Sequence, residues 1–499
     1  MLLSELLADI EYENIGNIDG LVVSGISRDT RNAQNSDLFV AIDGTNYGSA
    51  DIIELALKKG VTAIVAEKVV SASTGVPVIL VKSARKAFAE LCSVFYGNAH
   101  KDIIFFGITG TNGKTSTSYF LRSVLLAAGY KTALIGTTGV IYDGKIQHFP
   151  PESSGISQMT TPDPEILYPL LSKLKNDGVT HVVMEVSSHA LQLEKLAPIR
   201  FKCAVFTNLS PEHLDFHGSL EEYKKAKLTL CEMSELCVYN CDDAVWQNEF
   251  KSKDNCYSYG VEKGVVRGCD VKDMGLLGIR YILKSTDNRF CVTSAIPGRF
   301  TVYNTLAASA AALMCGISPE AVCYCLRAVE HIPGRLEKIR IDEAGVDFSV
   351  YIDYAHTAEA MERLLTDSAF ADRQGRLITL FGCGGERDRS KRAPMGRIAA
   401  EYSDFVYITS DNSRGEDPYD IISDILEGVK DKNNYKVIID REEAITDAFF
   451  NCKSGDILLL VGKGHEDYEV NKKGRIRFSE REILWKAAER IKAEKRERK

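Results

Sequence analysis

Short apolar runs alternate with longer amphipathic stretches over most of the chain. The apolar runs that predict strands in the middle of the sequence lie at residues 103–106, 132–137, 181–186 and 203–207. A helix is predicted over residues 162–176, with Thr161 as its N-cap, Pro162 at its first position and Gly178 after its end. Strands separated by helices predict a mostly parallel sheet covered on both faces, with ligands at the carboxyl ends of the strands.

The two ends of the chain show the same pattern in separate blocks. Residues 1–98 mix short strands and helices, which predicts a small mixed α/β domain. In the C-terminal block, predicted strands alternate with helices at residues 349–352, 377–381, 405–408, 436–439 and 457–461. This alternation predicts a Rossmann-like domain, and the breaker cluster at residues 331–335 separates it from the central block. A chain of 499 residues is longer than a single hydrophobic core usually supports. We therefore expect an α/β fold that is divided into three domains, at residues 1–98, 99–333 and 334–499.

A glycine-rich turn joins the first strand and the first helix of the central block. Residues 107–118 read GITGTNGKTSTS, and a helix is predicted over residues 116–128. Backbone N–H groups of such a turn surround phosphate oxygens, while Lys114 adds a cation and the Thr115 hydroxyl a magnesium ligand. Ile108 stands where the usual P-loop pattern has glycine. The turn predicts a nucleotide site, and the alternative is a plain helix N-terminus.

Polar side chains follow the later strands of the central block. Glu185 lies at the end of one strand, where a carboxylate can hold Mg²⁺ near the terminal phosphate of a nucleotide. His213, Asp215 and His217 share the loop after the next strand. A single histidine in a loop is usually only solvated, but three such groups beside a metal site favour a functional role.

A lysine interrupts the apolar face of the helix that follows. Ser219 and Glu222 predict a capping box at its start. Lys227 falls within the apolar stripe, whereas Lys225 points away from it. The other members of that stripe are Leu220, Tyr223, Leu230 and Cys231. Either the aliphatic stem of Lys227 crosses the stripe to reach water, or Lys227 is held near the metal centre with its charge altered by surroundings or modification.

Four of the five predicted C-terminal strands run into polar loops. These loops are residues 353–356 (DYAH), 382–389 (GCGGERDR), 410–414 (SDNSR) and 462–466 (GKGHE). Because the carboxyl ends of parallel strands meet at one sheet edge, the loops predict the lining of a cleft. Arg387 and Arg414 can each clamp a carboxylate through two parallel hydrogen bonds, which a lysine cannot do.

Charge and composition narrow the range of partners. The formal net charge of −8 gives no electrostatic reason to expect nucleic acid or an anionic membrane. The sequence shows no N-terminal signal segment and no apolar run near the roughly 20 residues of a spanning helix, so we expect a cytoplasmic protein. As a separate expectation, the protein acts as a monomer. Thirteen cysteines without a CxxC pair predict reduced, mostly buried thiols rather than disulfides or zinc ligands.

Several of these motifs together resemble those of the Mur ligases. The matching segments are residues 110–115 (GTNGKT), 185–191 (EVSSHAL), 207–209 (TNL), 213–218 (HLDFHG), 353–357 (DYAHT) and 462–466 (GKGHE). The resemblance covers nearly the whole chain and is loosest in the N-terminal domain. It implies an ATP-dependent amide ligase of peptidoglycan precursor synthesis, working through an acyl phosphate with two Mg²⁺ ions. The implied substrates are UDP-MurNAc-L-Ala-D-Glu and a diamino acid.

The resemblance also implies roles for individual residues and domains. The central domain would bind ATP, and the nucleotide contacts would be Gly110, Thr111, Asn112, Gly113, Lys114, Thr115, Ser116, Asn304, Arg335, Asp353 and His356. Catalysis would fall to Lys114, Glu185, His213 and Lys227, and the metal ions to Thr115, Glu185, His213 and a carbamylated Lys227. The UDP-linked substrate, held partly by the N-terminal domain, would meet Thr30, Thr160, Thr161, Ser188 and Lys195. The amino acid would bind the C-terminal domain through Arg387, Asp411, Asn412, Ser413, Arg414, Gly462 and Glu466.

The identity of the added amino acid depends on one loop. Family members that add meso-diaminopimelate carry Asp-Asn-Pro-Arg, and residues 411–414 keep the arginine for the distal carboxylate but have serine in place of the proline.

The sequence departs from the family pattern at two further places. They are Tyr47-Gly48-Ser49 for the usual Asp-Gly-His among the uridine contacts, and Lys195 for an arginine near the substrate. Asn304 is expected at the start of a helix over residues 304–314, where it either caps the helix or contacts a base edge. The open alternatives are a lysine-adding member, a folylpolyglutamate synthetase-like ligase, and a P-loop nucleotide switch without amide chemistry.

Overall fold

The computed structural model describes residues 1–43, 49–68, 74–147, 159–286, 288–341, 345–367, 370–371 and 373–497. The chain divides into two compact units. One unit comprises Met1–Val265 and Ala307–Ser318, and the other comprises Val266–Leu306 and Pro319–Lys499. Among the described residues, no helix combines the length and the apolar character that crossing a bilayer requires.

The first unit begins with a five-stranded sheet. Its elements are α1 (Leu3–Leu6), β1 (Glu13–Ile15), β2 (Gly25–Ser27), β3 (Asp37–Val40), α2 (Ser49–Leu57), β4 (Ala63–Ala66), β5 (Val78–Leu80) and α3 (Ala84–Phe95). The strand order is β1-β5-β4-β3-β2, with β1 antiparallel and the other strands parallel. The helix α3 begins at the N-cap Ser83, whose side chain accepts a hydrogen bond from the Lys86 N–H.

The central sheet of the first unit carries the P-loop. Its elements are β6 (Ile104–Thr109), α4 (Lys114–Ala127), β7 (Thr132–Gly136), β8 (Gly139–Tyr142), β9 (Lys145–Gln147), α5 (Pro164–Asn176), β10 (His181–Glu185), α6 (Ser188–Gln192), β11 (Phe201–Phe206), α7 (Leu214–His217), α8 (Leu220–Glu232), β12 (Ser234–Asn240), α9 (Ala244–Phe250) and β13 (Cys256–Gly260). Within this unit the order is β13-β12-β11-β6-β10-β7-β8-β9. Strands β13 to β7 in that order are parallel, and β8 and β9 add antiparallel. The strand β6 therefore lies between β10 and β11, so the loops after all three strands reach the same sheet edge.

The second unit contains an antiparallel strand trio and a second mostly parallel sheet. Its elements are β14 (Val266–Asp273), β15 (Ile279–Lys284), β16 (Arg289–Ser294), α10 (Phe300–Met314, whose last turns belong to the first unit), α11 (Pro319–Ala328), β17 (Glu337–Ile339), β18 (Ser349–Asp353), α12 (Ala358–Leu365), β19 (Leu377–Phe381), α13 (Arg392–Tyr402), β20 (Phe405–Ile408), α14 (Pro418–Leu426), β21 (Tyr435–Val437), α15 (Arg441–Asn451), β22 (Ile457–Val461), β23 (Tyr468–Asn471), β24 (Gly474–Arg477) and α16 (Glu480–Glu497). The six-stranded order is β17-β18-β22-β19-β20-β21, and only β17 is antiparallel.

Buried strands at the centre of each parallel sheet explain why the sequence shows continuous apolar runs. Every residue of β10 and of β22 is buried, because helices cover both faces of a parallel sheet. Met184 and Leu459 belong to separate hydrophobic cores, one in each unit. The α/β class predicted from the sequence is confirmed, with one principal sheet in each of the three predicted regions.

Four local predictions differ from the structure. The helix α5 begins at Pro164 with Asp163 as N-cap, so the prediction of Thr161 and Pro162 for these places was wrong. The Thr161 hydroxyl instead donates to the Glu185 carbonyl oxygen over 2.8 Å, which ties this residue to the sheet edge. The helix α4 starts two residues earlier than predicted, at Lys114.

The fourth difference concerns Asn304. The helix α10 begins at Phe300, so Asn304 lies in its second turn and not at its start. A helix-capping role for this residue is therefore excluded, because an N-cap must precede the first helical turn. The capping box predicted for α8 is present in part, since Ser219 accepts a hydrogen bond from the Glu222 N–H.

Candidate active site

The P-loop turn between β6 and α4 requires glycine at two positions. Gly110 has φ 146°, and a Cβ there would lie 1.9 Å from the Thr207 hydroxyl oxygen. Gly113 has φ 86° and is the N-cap of α4, a left-handed conformation that suits a residue without a Cβ. The Lys114 ammonium donates to the carbonyl oxygens of Gly110 (2.9 Å) and Thr111 (2.8 Å). This arrangement brings a cation and the positive end of α4 together, as a phosphate site requires.

The loop after β11 holds the P-loop in place. The Asn208 side chain accepts from the Asn112 N–H (2.9 Å) and donates to the Asn112 carbonyl oxygen (3.0 Å). The Thr111 hydroxyl donates to the Ser210 carbonyl oxygen at 3.0 Å. Ser116, in the first turn of α4, is buried. No role was predicted for Asn208 from the sequence, although a polar residue directly after a predicted buried strand is a candidate for the ligand-binding edge of the sheet.

Glu185 is fully buried at the end of β10 and faces the P-loop. One carboxylate oxygen accepts from the Thr115 hydroxyl (3.0 Å) and the Thr137 hydroxyl (2.9 Å), and the other accepts from the Thr137 N–H (3.1 Å). A Cβ on Gly136 would lie 2.2 Å from this carboxylate, so only glycine fits beside it. The donor set of Thr115 and Glu185 consists of hard oxygen ligands, and it therefore fits Mg²⁺.

Lys227 extends from α8 into the same region and is 1% exposed. Its ammonium donates to the Gly110 carbonyl oxygen over 2.9 Å and lies 4.4 Å from the centroid of the Tyr223 ring. Burial, reinforced by the nearby Lys114 charge, holds the pKa of Lys227 well below its ordinary value. Lys227 therefore does not reach water as a snorkelling lysine would, whereas Lys225 on the same helix is exposed.

A histidine cluster lies beside this lysine. His213, with φ 55°, precedes α7, and its ring centroid lies 4.9 Å from that of His189. His217 shares a hydrogen bond with the Ser188 hydroxyl at 2.9 Å. Burial, followed by the charges of His213 and His217, lowers the pKa of His189 to about 4, and burial likewise lowers the pKa of His213. No role was predicted for His189 from the sequence, although it lies within the EVSSHAL segment at residues 185–191.

The residues predicted for the UDP-linked substrate also lie in the first unit. The Thr160 and Thr137 hydroxyls share a hydrogen bond of 3.1 Å. Lys195 is buried, and its ammonium lies 2.6 Å from the Asp163 carboxylate, which also binds Arg28 at 2.7 Å. Thr30 lies half-buried two residues after Arg28. Asp163 thus connects the five-stranded sheet region to the edge of the central sheet, a role absent from the sequence predictions.

One predicted departure in the uridine region cannot be placed. Tyr47 and Gly48 lie outside the described residues, which resume at Ser49. Thr161 and Ser188 are both buried at the edge of the central sheet, and the Thr161 hydroxyl lies 3.3 Å from that of Ser187. These small hydroxyl side chains are tied to the sheet edge that also carries Glu185.

In the second unit, one group of predicted residues surrounds Asp353 at the end of β18. The Asp353 carboxylate accepts from the Leu336 N–H (2.7 Å) and the Ala355 N–H (2.8 Å), while burial raises its pKa against the opposing effect of Arg335. The Arg335 guanidinium stacks 4.9 Å from the Tyr354 ring centroid. The His356 ring centroid lies 4.8 Å from that of the same tyrosine. Asn304 belongs to a different element, α10, in which it is buried.

The loops after β20 and β22 form a second group. Asp411, Asn412 and Ser413 are buried, and the Asn412 amide donates to Glu466 over 2.7 Å. The fully buried Lys463 donates to the Asn412 side-chain oxygen at 3.1 Å and lies 3.4 Å from the Asp411 carboxylate. Lys463 was not among the predicted site residues, although a lysine between two glycines at a strand end was a usable signal. Burial raises the pKa of Glu466.

Arg414 is oriented by backbone. It has φ 51°, and one guanidinium nitrogen donates to the carbonyl oxygens of Gly385 (2.8 Å) and Asn412 (3.2 Å). Burial and the neighbouring Arg387 charge lower the pKa of Arg414. Arg387 is exposed, and Gly462 has φ 112° with its α-carbon facing the Asp411 carboxylate. Because the Arg387 charge acts on Arg414, the two guanidinium groups together suit an anionic ligand.

Comparison with known proteins covers nearly the whole chain. The family profile "Mur ligase middle domain" matches residues 108–312, and the profile "Mur ligase, glutamate ligase domain" matches residues 334–464. The chain is 39% identical over 487 residues to UDP-N-acetylmuramoyl-L-alanyl-D-glutamate--2,6-diaminopimelate ligase 1 of Clostridium acetobutylicum, which covers 97% of this chain and 98% of that protein. It is 40% identical over 488 residues to the corresponding ligase of Caldanaerobacter subterraneus subsp. tengcongensis, with coverages of 97% and 98%.

A solved structure extends the similarity to three dimensions. The structure of a UDP-N-acetylmuramoyl-L-alanyl-D-glutamate--2,6-diaminopimelate ligase matches with a TM-score of 0.68 and 29% identity, over 98% of this chain and 99% of that chain. A MurF from Acinetobacter baumannii matches with a TM-score of 0.62 at 17% identity, a level that supports the shared fold alone.

Proposed function

The chain belongs to the Mur ligase family, an ATP-dependent ligase family, and on this premise we propose that it joins meso-2,6-diaminopimelate to UDP-MurNAc-L-Ala-D-Glu. A free carboxylate is a poor acyl donor, because its leaving group would be oxide. Transfer of the γ-phosphoryl group of ATP to the D-glutamate carboxylate gives an acyl phosphate and ADP. Attack by the amine of the diamino acid then forms the amide, releasing phosphate and a proton.

The observation that carries this proposal is the set of buried groups that meet at the P-loop. Glu185 contacts the Thr115 hydroxyl, and Lys227 contacts the Gly110 carbonyl oxygen from a third element. A nucleotide switch needs the phosphate turn, but it has no evident need for a buried lysine amine beside that turn. An enzyme that must align several anions does have such a need.

We propose that the phosphates of ATP lie along residues 110–116, with Lys114 exchanging its contacts to loop carbonyls for contacts to the β- and γ-phosphates. Thr115 and Glu185 would hold one Mg²⁺, and His213 with Glu185 and a modified Lys227 would hold a second. Bound Mg²⁺ would screen the repulsion between the phosphate and carboxylate anions. Asp353, fixed by two backbone N–H groups, would accept from a ribose hydroxyl, with Asn304, Arg335 and His356 completing the nucleoside contacts.

Modification explains why a lysine occupies this buried place. An unmodified ammonium repels a metal ion, so Lys227 as a cation does not fit the second site. Its depressed pKa favours the neutral amine, which is nucleophilic toward CO₂. Formation of the N–C bond releases one proton and leaves a carbamate, whose oxygens are hard anionic ligands. We therefore propose that Lys227 acts as a carbamate.

The remaining predicted residues divide between the two substrates. We propose that Thr30, Thr160, Thr161, Ser188 and Lys195 contact the UDP-MurNAc-dipeptide. All five lie in the first unit, and hydrogen bonds or an ion pair tie the last four of them to the edge of the central sheet. The diamino acid would bind Arg387, Arg414, residues 411–413, Gly462 and Glu466. Meso-diaminopimelate carries a second carboxylate that lysine lacks, and the oriented Arg414 guanidinium would bind that carboxylate.

A competition experiment tests the reaction and the amino acid together. The full-length protein is incubated with ATP, Mg²⁺, bicarbonate and the UDP-dipeptide, together with equal concentrations of meso-diaminopimelate, L-lysine and L-glutamate. Mass spectrometry is expected to find only the diaminopimelate product, and ¹⁸O from the labelled D-glutamate carboxylate is expected in the released phosphate. A lysine product would identify a lysine-adding ligase, and full ATP turnover without any amine would identify a switch.

Further expectations about the domains, the location and the oligomeric state belong to the same proposal. We propose domain boundaries at 98/99 and 333/334, a UDP-substrate role for the first domain and an amino-acid-binding role for the last. We also propose that the protein acts in the cytoplasm, where ATP and UDP-linked precursors are available, as a monomer without nucleic-acid or membrane partners. Light scattering coupled to size-exclusion chromatography tests the monomer, and a dimeric mass would contradict it.

A further inference from the structure

Three cysteines from different elements come together at the end of α8, the helix that carries Lys227. They are Cys231 in the last turn of α8, Cys237 in β12 and Cys256 in β13. Their sulfur atoms all lie within 4.8 Å of one another, and those of Cys231 and Cys237 are 2.8 Å apart. Cys237 is buried, while Cys231 and Cys256 are partly exposed. The cluster is therefore closed on one side and open to water on the other.

Regular structure fixes all three side chains. Cys237 and Cys256 are directly paired across the parallel strands β12 and β13, and the Cys237 N–H donates to the Asn255 carbonyl oxygen at 2.9 Å. The helix α8 packs on β12 and brings Cys231 over the pair. Because two strands and a helix hold the sulfurs, the cluster needs little rearrangement to act as one ligand set.

Hydrogen bonds within the cluster favour ionisation of one sulfur. The neighbouring thiols donate hydrogen bonds to the Cys231 sulfur, and these contacts, aided by the charge of Lys253, lower the pKa of Cys231. The same contacts raise the pKa values of the two donors, Cys237 and Cys256. Thiolate is the form that binds metals, so Cys231 is the first ligand and the other two thiols release their protons when the ion binds.

We propose that Cys231, Cys237 and Cys256 form a binding site for a thiophilic metal ion, such as Zn²⁺. Zinc–sulfur bonds of about 2.3 Å in tetrahedral geometry require sulfur atoms roughly 3.8 Å apart, which the cluster reaches by small side-chain rotations. Three cysteine ligands leave a fourth position, and the open side of the cluster supplies water to it. A disulfide would use only two of the sulfurs, whereas an ion explains why the third lies within 4.8 Å of the other two.

Binding at this site has a structural consequence for α8. Cys231 follows Lys227 by four residues, so the two side chains lie one helical turn apart on the same face. A bound ion would tie the end of α8 to β12 and β13. Because the ion binds the folded form, it is expected to raise the melting temperature of the protein without ATP or substrate present. The site does not depend on the proposed ligase reaction.

Cadmium titration of the full-length protein tests the proposal. With all thiols kept reduced by a phosphine reductant, Cd²⁺ is expected to bind with one tight equivalent, to produce an ultraviolet thiolate-to-metal charge-transfer band and to raise the melting temperature. Zn²⁺ is expected to compete for the same equivalent. The single variants Cys231→Ser and Cys256→Ser are expected to lose at least about ten-fold in affinity, because each removes one of three ligands. Cys269→Ser, a partly exposed cysteine in the second unit, is the matched control and is expected to bind normally.

Each other outcome contradicts the proposal. Equal Cd²⁺ affinity in the wild type and in Cys231→Ser would place the ion elsewhere, and binding without the charge-transfer band would exclude thiolate ligands. Melting curves of the metal-free variants show whether they fold, so lost binding in a folded variant is informative. If the reduced wild type binds no ion but loses two free thiols on mild oxidation, the cluster is a redox pair and the metal site is refuted.

Discussion

Replacement of Lys227 by methionine separates the chemistry of this side chain from its packing. Methionine has nearly the volume and the unbranched shape of a neutral lysine, so the substitution fills the same buried space. Alanine would instead leave a cavity, and truncation of a long buried side chain costs about 2–5 kcal/mol. The matched control is Lys225→Met, which changes an exposed lysine two residues away on the same helix.

The contacts of Lys227 set the expected size of the two effects. The lost hydrogen bond to the Gly110 carbonyl oxygen is worth about 1 kcal/mol, and the carbonyl still accepts from Lys114 at 2.9 Å. A volume-conserving swap adds less than about 1.5 kcal/mol, and removal of an amine next to Lys114 offsets part of this. Unfolding free energy should therefore change by no more than about 2 kcal/mol. Ligation should fall at least about 100-fold, equivalent to about 2.7 kcal/mol of transition-state stabilisation.

Two assays on the same protein samples test the carbamate assignment of Lys227. Urea unfolding gives the stability of each variant, and amide formation from ATP, UDP-dipeptide and diaminopimelate gives the turnover number. In Lys227→Ala, acetate or formate is expected to restore part of the activity, because a small carboxylate can enter the cavity and replace the carbamate oxygens. If Lys227→Met keeps full activity at every bicarbonate concentration, the carbamate assignment is wrong. If Lys225→Met loses as much activity as Lys227→Met, the effect belongs to the helix and not to the buried amine.

Three further predictions concern substrate choice, folding and pH. Arg414→Lys is expected to raise the Michaelis constant for meso-diaminopimelate about ten-fold or more and leave that for ATP unchanged, because an ammonium cannot form two parallel bonds to the distal carboxylate; equal effects on both constants would contradict its role. Glu480→Gln is expected to lower the unfolding free energy by about 3–5 kcal/mol in a denaturant titration, because it leaves the fully buried Arg441 charge without its carboxylate partner at 2.7 Å; a change below about 1 kcal/mol would refute this. Burial lowers the pKa of His100 from 6.5 to about 4, so as the pH falls the unfolded chain binds this proton before the folded protein does. The free energy of unfolding should therefore decrease as pH falls from about 6.5 to about 4. His100→Gln should flatten that part of the stability–pH profile, and an unchanged slope would show that other groups dominate.

The separate elements follow from local patterns. The buried strands β6, β10 and β22 stand out as apolar runs, because a parallel sheet covered on both faces has no solvated side. The glycine-rich turn can also be predicted from the sequence, because the positive φ at Gly113 and the close approach of Thr207 to Gly110 favour glycine at both positions. Motif spacing then indicates the family, and the full-length similarity to known ligases agrees with it.

Some local details were misjudged because tertiary contacts overrode propensity. Thr161 precedes a proline and is a residue type that favours the N-cap position. Its hydroxyl instead donates a hydrogen bond to the Glu185 carbonyl oxygen, and α5 begins at Pro164 after Asp163. The carboxylate of Asp163 is in turn engaged by Lys195 and Arg28. A partner more than twenty residues away is invisible to a reading of helix-start signals.

Residue patterns along the chain specify the class of fold, the phosphate turn and the chemical types available for a site. Which of these residues meet depends on the three-dimensional packing: Lys227 contacts Gly110 across 117 residues, and Thr115 contacts Glu185 across 70. It also brought together three cysteines whose spacing in the sequence indicated only reduced thiols. The physical reason is that hydrophobic periodicity specifies which face of an element is buried, whereas the order β11-β6-β10 and the packing of α8 specify what that face touches.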